Sequence, residues 1–195
     1  MIIDGNRKIG ILGGSFNPAH DGHVHISYEA KKRLQLDAIW WLVSPGNPLK
    51  SNKQQLPIDK RLAQTQEIAS PHPYIEATDL ERLFKTRYSI NTIKRLQTSY
   101  PKTQFTWLIG ADNLYCFDQW RQWKEIMLGI PIAVFDRQPF AYPSTRSMAA
   151  TYGKNHRIPS NHSAALPLAN SPCWTYHFTS PHPQSSTAIR HGSSG

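Results

Sequence analysis

The chain has 195 residues, 39% of them hydrophobic, enough to build one domain around a sizeable core. Its 22 Lys and Arg against 13 Asp and Glu leave a formal charge of +9, which suits anionic partners such as nucleotides or nucleic acid without choosing between them. Cys116 and Cys173 are too few and too separated for a disulfide framework, Met1 to Gly5 lacks a signal-peptide pattern, and no apolar run reaches membrane-spanning length, so a cytoplasmic protein with no membrane partner is expected.

Ile9-Gly10-Ile11-Leu12 reads as a short buried parallel strand running into Gly13 and Gly14. The chain must then turn sharply; those two glycines tolerate positive φ and let a ligand reach the backbone, while Asn17-Pro18 holds off helix formation. A helix follows from His20 or Gly22 to about Gln35, with Ile26, Ala30 and Leu34 on one face and Lys31, Lys32 and Arg33 around the other. Ala38 to Val43 forms a second strand, and strand, helix, strand implies a right-handed crossover. Ile58 to Ser70 is helical with Leu62, Ile68 and Ala69 inward, and a short strand lies near Tyr74 to Ala77. Ser89 is positioned to cap a helix whose Ile90, Ile93 and Leu96 share a stripe and which stops around Tyr100-Pro101. Thr103 to Gly110 and Ile130 to Phe135 read as strands, Gln138 to Pro172 as a loop with one short helix, and Cys173 to Phe178 as a last strand. The alternation predicts a doubly wound α/β sheet, whose ligand crevice collects the loops after Gly14, Val43, Gly110 and Phe135.

Within that frame His20 and His23 fall at the start of the first helix. Unpaired N–H groups and the positive end of the macrodipole favour an anion there, and two imidazole donors add to them. With Gly13, Gly14, Ser15 and Phe16 before them, they make a phosphate cradle. Each part also has a plainer reading, the glycine pair as a turn and a histidine as a helix cap. His25 points to another side of the helix, and only Asp21 stands nearby as an acidic partner, so no metal site is assigned to the three histidines.

Residues 13–23, Gly-Gly-Ser-Phe-Asn-Pro-Ala-His-Asp-Gly-His, resemble the GG(S/T)F(D/N)PxHxGH element of the nucleotidyltransferase superfamily, in particular of bacterial nicotinate-nucleotide adenylyltransferases. Residues 107–114 with Phe117, Trp120 and Trp123 resemble that family's GxDxLxxFxxW block, and Ser185-Ser186-Thr187-Ala188-Ile189-Arg190 its SSTxIR element. The resemblance runs over about residues 8 to 190, with the motifs in family order. It implies a Rossmann-like, mostly parallel sheet in a single domain spanning 1–195, and a reaction joining nicotinate mononucleotide to the AMP moiety of ATP with release of pyrophosphate.

By the same resemblance, His20 and His23 hold the ATP phosphates and the charge developing at the α-phosphate. Gly13, Gly14, Ser15, Phe16, Lys50, Ser185, Ser186, Thr187 and Arg190 complete the ATP side, and Mg2+ arrives as the ATP counterion. On the acceptor side Trp120 stacks on the pyridine ring, the amides of Ser89 and Arg121 recognise the nicotinate carboxylate, and Asp112 lies near the ribose or metal or else caps a helix. Two positions depart from the family pattern. Ser89 replaces a threonine, and Asn47-Pro48-Leu49-Lys50 stands where relatives carry a Pro-Pro-His-Lys type loop, removing position 49 from phosphate binding. A related transferase for nicotinamide mononucleotide or pantetheine phosphate is the nearest alternative. A nucleic-acid-binding module is another, but the basic residues are dispersed rather than set in a stripe with aromatics, so no nucleic-acid partner is expected.

Overall fold

In the computed structural model, which describes residues 6–46, 55–137 and 139–179, seven strands pair in one sheet. They are β1 (Lys8–Gly14), β2 (Ala38–Val43), β3 (Ile75–Thr78), β4 (Gln104–Gly110), β5 (Ile132–Phe135), β6 (Arg157–Ile158) and β7 (Trp174–His177). The helices are α1 (Asp21–Leu34), α2 (Ile58–Ala69), α3 (Leu80–Leu83), α4 (Ser89–Ser99), α5 (Ala111–Tyr115), α6 (Trp123–Gly129), α7 (Ala141–Thr145) and α8 (Met148–Tyr152). The sheet order is β3-β2-β1-β4-β5-β7-β6. Every pairing is parallel, so the expected mostly parallel sheet is wholly parallel.

A parallel sheet must be covered on both faces, and its strands accordingly read as unbroken apolar runs. Ala38–Val43 is buried at every position. Alternate side chains sort into two cores. Ile9, Ile11, Trp40, Trp107 and Val134 meet Ile90, Ile93 and Leu96 of α4 and Ile126 of α6 on one face. Leu12, Ile39, Trp41, Leu108 and Phe135 meet Ala30 and Leu34 of α1, Ala69 of α2 and Leu166 on the other. Among the described residues no helix is long and apolar enough to cross a membrane.

Two local expectations are corrected. Gly13 and Gly14 belong to β1 and do not take positive φ; the left-handed residue of the first loop is Phe16, at φ 44°. The glycine that packing demands is Gly10, where a Cβ would lie 2.7 Å from Leu36 and 2.8 Å from Leu108. In α2 Leu62, Ile68 and Ala69 face the core as expected, Ala69 fully and the other two partly buried, and Arg61 and Thr65 are buried beside them. Ser89 is the first residue of α4 rather than its cap, which is Tyr88, without a side-chain hydrogen bond.

Residues 139–172 are more ordered than a loop with one short helix. They carry α7, α8, the two-residue β6 and a 3-10 helix over Ser160–Leu168. Such short elements are held from outside rather than by their own periodicity. Tyr176 Oη donates to the Ala141 carbonyl at 2.9 Å, Ser147 Oγ caps α8 by accepting from Ala150 N at 3.2 Å, and Trp174 Nε1 donates to the Gly153 carbonyl at 2.8 Å.

The chain lays β1, β2 and β3 toward one edge and then places β4 and β5 on the far side of β1. The reversal between β1 and β4 opens a crevice at their carboxyl ends, the usual place for a ligand in an open α/β sheet.

Candidate active site

Two of the sequence motifs meet at that crevice. β1 ends at Gly14 and leads through Phe16 to α1; β4 ends at Gly110 and turns directly into α5. His20 is the N-cap of α1, with extended backbone, and its Nδ1 accepts from Gly22 N at 3.1 Å. His23 completes a capping box, its Nδ1 accepting from His20 N at 3.2 Å. A neutral imidazole that accepts at Nδ1 carries its proton on Nε2. Capping therefore fixes both rings as Nε2–H donors, with centroids 4.0 Å apart. The helix-cap reading of the two histidines is the one the geometry shows.

Burial lowers the His23 pKa well below the ordinary imidazole value, helped by the closeness of the second titratable ring, His20, and by the positive charge of Arg137. At neutral pH the ring is an uncharged donor. The loop that delivers it is stiffened by aromatic packing: buried Phe16 lies 4.7 Å from His23 and stacks on Trp41 at 5.3 Å. Those contacts hold Phe16 in its left-handed conformation against the steric cost. Trp41 Nε1 donates to Ser27 Oγ at 2.8 Å, and that hydroxyl donates to the His23 carbonyl at 2.8 Å.

Asp112 is the second residue of α5, and the cap is Gly110, so the helix-cap reading of this aspartate falls. Its Oδ2 accepts from Arg137 Nη1 at 3.3 Å, while Oδ1 is buried with no hydrogen-bond partner among the described residues. Arg137 follows β5 and its charge reaches His23. Three neighbouring strand ends thus converge on one spot. Arg137 was legible only as part of a loop at the sheet's carboxyl edge; its pairing with Asp112 was not.

On the other side of the crevice, Trp120 is partly buried and tilts against Phe117 at 4.9 Å. Arg121 places its guanidinium 4.8 Å from the centroid of Tyr88, the residue before Ser89. Arg121 is thereby brought against the residue that precedes Ser89 at the start of α4. Trp123 packs edge-on against Tyr152 at 5.1 Å, a structural role. Lys50, Ser185, Ser186, Thr187 and Arg190 lie outside the described residues. Among the described residues no group of three or more His, Cys, Asp or Glu is arranged to hold a metal.

His177, the last residue of β7, is fully buried, stacks on Phe135 at 5.0 Å, and has no hydrogen-bond partner on either ring nitrogen among the described residues. Burial, with Arg33 adding to it and Glu29 opposing, depresses its pKa to about 4. The unfolded chain takes up this proton near pH 6.5 and the folded chain only near 4. Stability from this group is therefore complete above pH 6.5 and lost as pH falls through about 4, about 3 kcal/mol across the window. Urea unfolding followed from pH 7.5 down to about 4 should show that slope, and His177→Phe should flatten it; an unchanged slope would remove His177 as its source.

An all-parallel sheet whose switch point ends in a pair of tautomer-fixed histidines is the build of a nucleotidyltransferase, and the family described as cytidylyltransferase-like matches residues 11–192. A protein from Ruegeria described as a probable nicotinate-nucleotide adenylyltransferase is 42% identical over 93% of this chain and 95% of its own length. One from Rhizobium johnstonii with the same description is 43% identical over 95% of this chain and 93% of its own. The chain belongs to the nicotinate-nucleotide adenylyltransferase family, nucleotidyltransferases of NAD biosynthesis. The fold is shared with a solved Plasmodium falciparum nicotinic acid mononucleotide adenylyltransferase complexed with NaAD, with a TM-score of 0.69 at 17% identity over 95% of this chain and 83% of that one.

Proposed function

We propose that the crevice between the ends of β1 and β4 binds ATP on His20 and His23 and nicotinate mononucleotide on Ser89, Trp120 and Arg121, and joins the two. The observation that carries this reading is the capping box, which turns both imidazoles into fixed Nε2–H donors at a helix N-terminus. A phosphate oxygen of the mononucleotide attacks the α-phosphorus of ATP. The new P–O bond forms as the bond to the β-phosphate bridging oxygen breaks, and the electron pair leaves with pyrophosphate. Nucleophile and leaving group are both competent, so alignment and charge neutralisation do the chemistry without a covalent intermediate.

In this scheme the ends of β1 and the following loop, Gly13 to Phe16, line the phosphate path, and Lys50, Ser185, Ser186, Thr187 and Arg190 add donors to the β and γ phosphates. Asp112, held by Arg137, faces the reacting nucleotide with its Oδ1, which has no hydrogen-bond partner among the described residues. Mg2+ carried in on the ATP phosphates needs no protein cage, and Asp112 offers it a carboxylate at the end of β4. When bound, that ion neutralises phosphate charge. The competing nucleic-acid reading is weakened by local pairing of the basic residues: Arg33 with Glu29, Arg82 with Asp59 and Asp79, Lys94 with Glu125. Purified protein given ATP, Mg2+ and nicotinate mononucleotide should release pyrophosphate and form the dinucleotide. No release under these conditions overturns the reading.

A further inference from the structure

Arg61 is 1% exposed near the start of α2, and none of the roles above uses it. A fully buried arginine ordinarily has a carboxylate partner. Among the described residues no ion pair is made to this one. Its guanidinium instead donates to main-chain carbonyls: Nη1 to Ser15 at 2.6 Å and Ser44 at 2.8 Å, Nε to Leu56 at 2.8 Å, and Nη2 to Pro45 at 3.4 Å. These carbonyls belong to three separate segments, the loop after β1, the loop after β2, and the approach to α2. Ser15 lies within the phosphate-cradle motif itself.

Ser44 carries the network onward. Its side chain hydrogen-bonds the buried carboxylate of Glu81, which also accepts from Thr92 Oγ1 at 3.1 Å. Burial raises the Glu81 pKa, and these two donors oppose the rise. Thr92 stands near the start of α4, the helix that begins at Ser89, and its hydroxyl lies 2.9 Å from that of Thr86. A continuous polar path therefore runs from the ATP-side loop to the helix start on the acceptor side.

We propose that Arg61 is a positioning residue for nucleotidyl transfer: its guanidinium sets the Ser15 loop against the Ser44–Pro45 loop, and through Ser44 and Glu81 couples both to the start of α4. The geometry of a planar fork is what the role needs. Several donors must point at once into three diverging segments, and a lysine ammonium, donating from a single atom, cannot span them. Misplacing the Ser15 loop shifts the cradle relative to the phosphates, and a displacement of about 1 Å at a reacting centre commonly costs up to about 100-fold.

The inference rests on the placement of the ATP phosphates at His20 and His23, and the experiment separates the two. Arg61→Lys is assayed with ATP and nicotinate mononucleotide varied in turn, after circular dichroism and a thermal melt confirm folding. The KM for ATP should rise about tenfold while the KM for the mononucleotide changes much less. A wild-type KM for ATP overturns the proposal. Should the variant melt below the assay temperature, Glu81→Gln reads the network from its other end, keeping size and an acceptor oxygen. It should raise the KM for ATP although it lies on the acceptor side, and an unchanged value overturns the coupling. Full activity in His23→Ala would refute the ATP placement instead.

Discussion

Replacing His23 by alanine is expected to lower kcat by about 100- to 1,000-fold with the protein still folded, the usual cost of removing one preorganised donor from a developing charge. The lost group is the Nε2–H whose position the capping box fixes. Because His23 also accepts from His20 N, the variant gives up one capping bond as well, worth about 1 kcal/mol. His20 allows the two contributions to be divided. His20→Ala removes both the donor and the acceptor for Gly22 N, so rate and melting temperature should fall together. His20→Asn keeps a side-chain acceptor at the cap and loses the Nε2–H, so the rate should fall while the melting temperature holds. Since burial keeps His23 neutral, that ring should contribute no loss of rate near pH 6.5. Pyrophosphate release and thermal melts on the three variants check this, and a fully active His23→Ala removes that residue from the catalytic set.

The donors in that argument are visible in the sequence as residue types, and a helix cap is one reading of them; that the two rings cap reciprocally is not visible there. The parallel strands could be read because a strand covered on both faces must be apolar throughout, as at Ala38–Val43. The first loop was misread at the level of single residues. The glycine pair looked like the turn, yet the left-handed conformation falls on Phe16, where stacking on Trp41 overrides backbone preference. Arg61 was hidden for a related reason. A hydrophobic pattern assigns an arginine to the surface, so it finds Leu62, Ile68 and Ala69, which do face the core, and passes over the buried Arg61 and Thr65. Carbonyl partners on three segments distant in sequence leave no periodic signal. The 139–172 stretch failed differently: helices of five residues are too short to show a period and exist because Tyr176, Ser147 and Trp174 anchor them.

Discrimination between nicotinate and nicotinamide mononucleotides is expected to exceed about 1,000-fold in kcat/KM. In the proposed site the acceptor end is made of N–H donors, the amides of Ser89 at the start of α4 and of Arg121, whose N–H donates to no main-chain carbonyl among the described residues. A carboxylate offers only acceptors to them, whereas a carboxamide turns its NH2 toward donors, and the positive end of α4 favours the anion. Trp120 contributes on a different axis. Its indole face serves either pyridine ring, so Trp120→Ala should lower kcat/KM about 10- to 100-fold for both substrates and leave their ratio unchanged. Arg121 separates backbone from side chain. Arg121→Ala keeps the amide and should keep the preference, while Arg121→Pro deletes the N–H. Trp120 already has the extended backbone, ψ 140°, that a following proline requires, so the second variant is sterically compatible. Its nicotinate preference should collapse toward that of the nicotinamide substrate; a preference that survives in Arg121→Pro would mean that the carboxylate is read elsewhere.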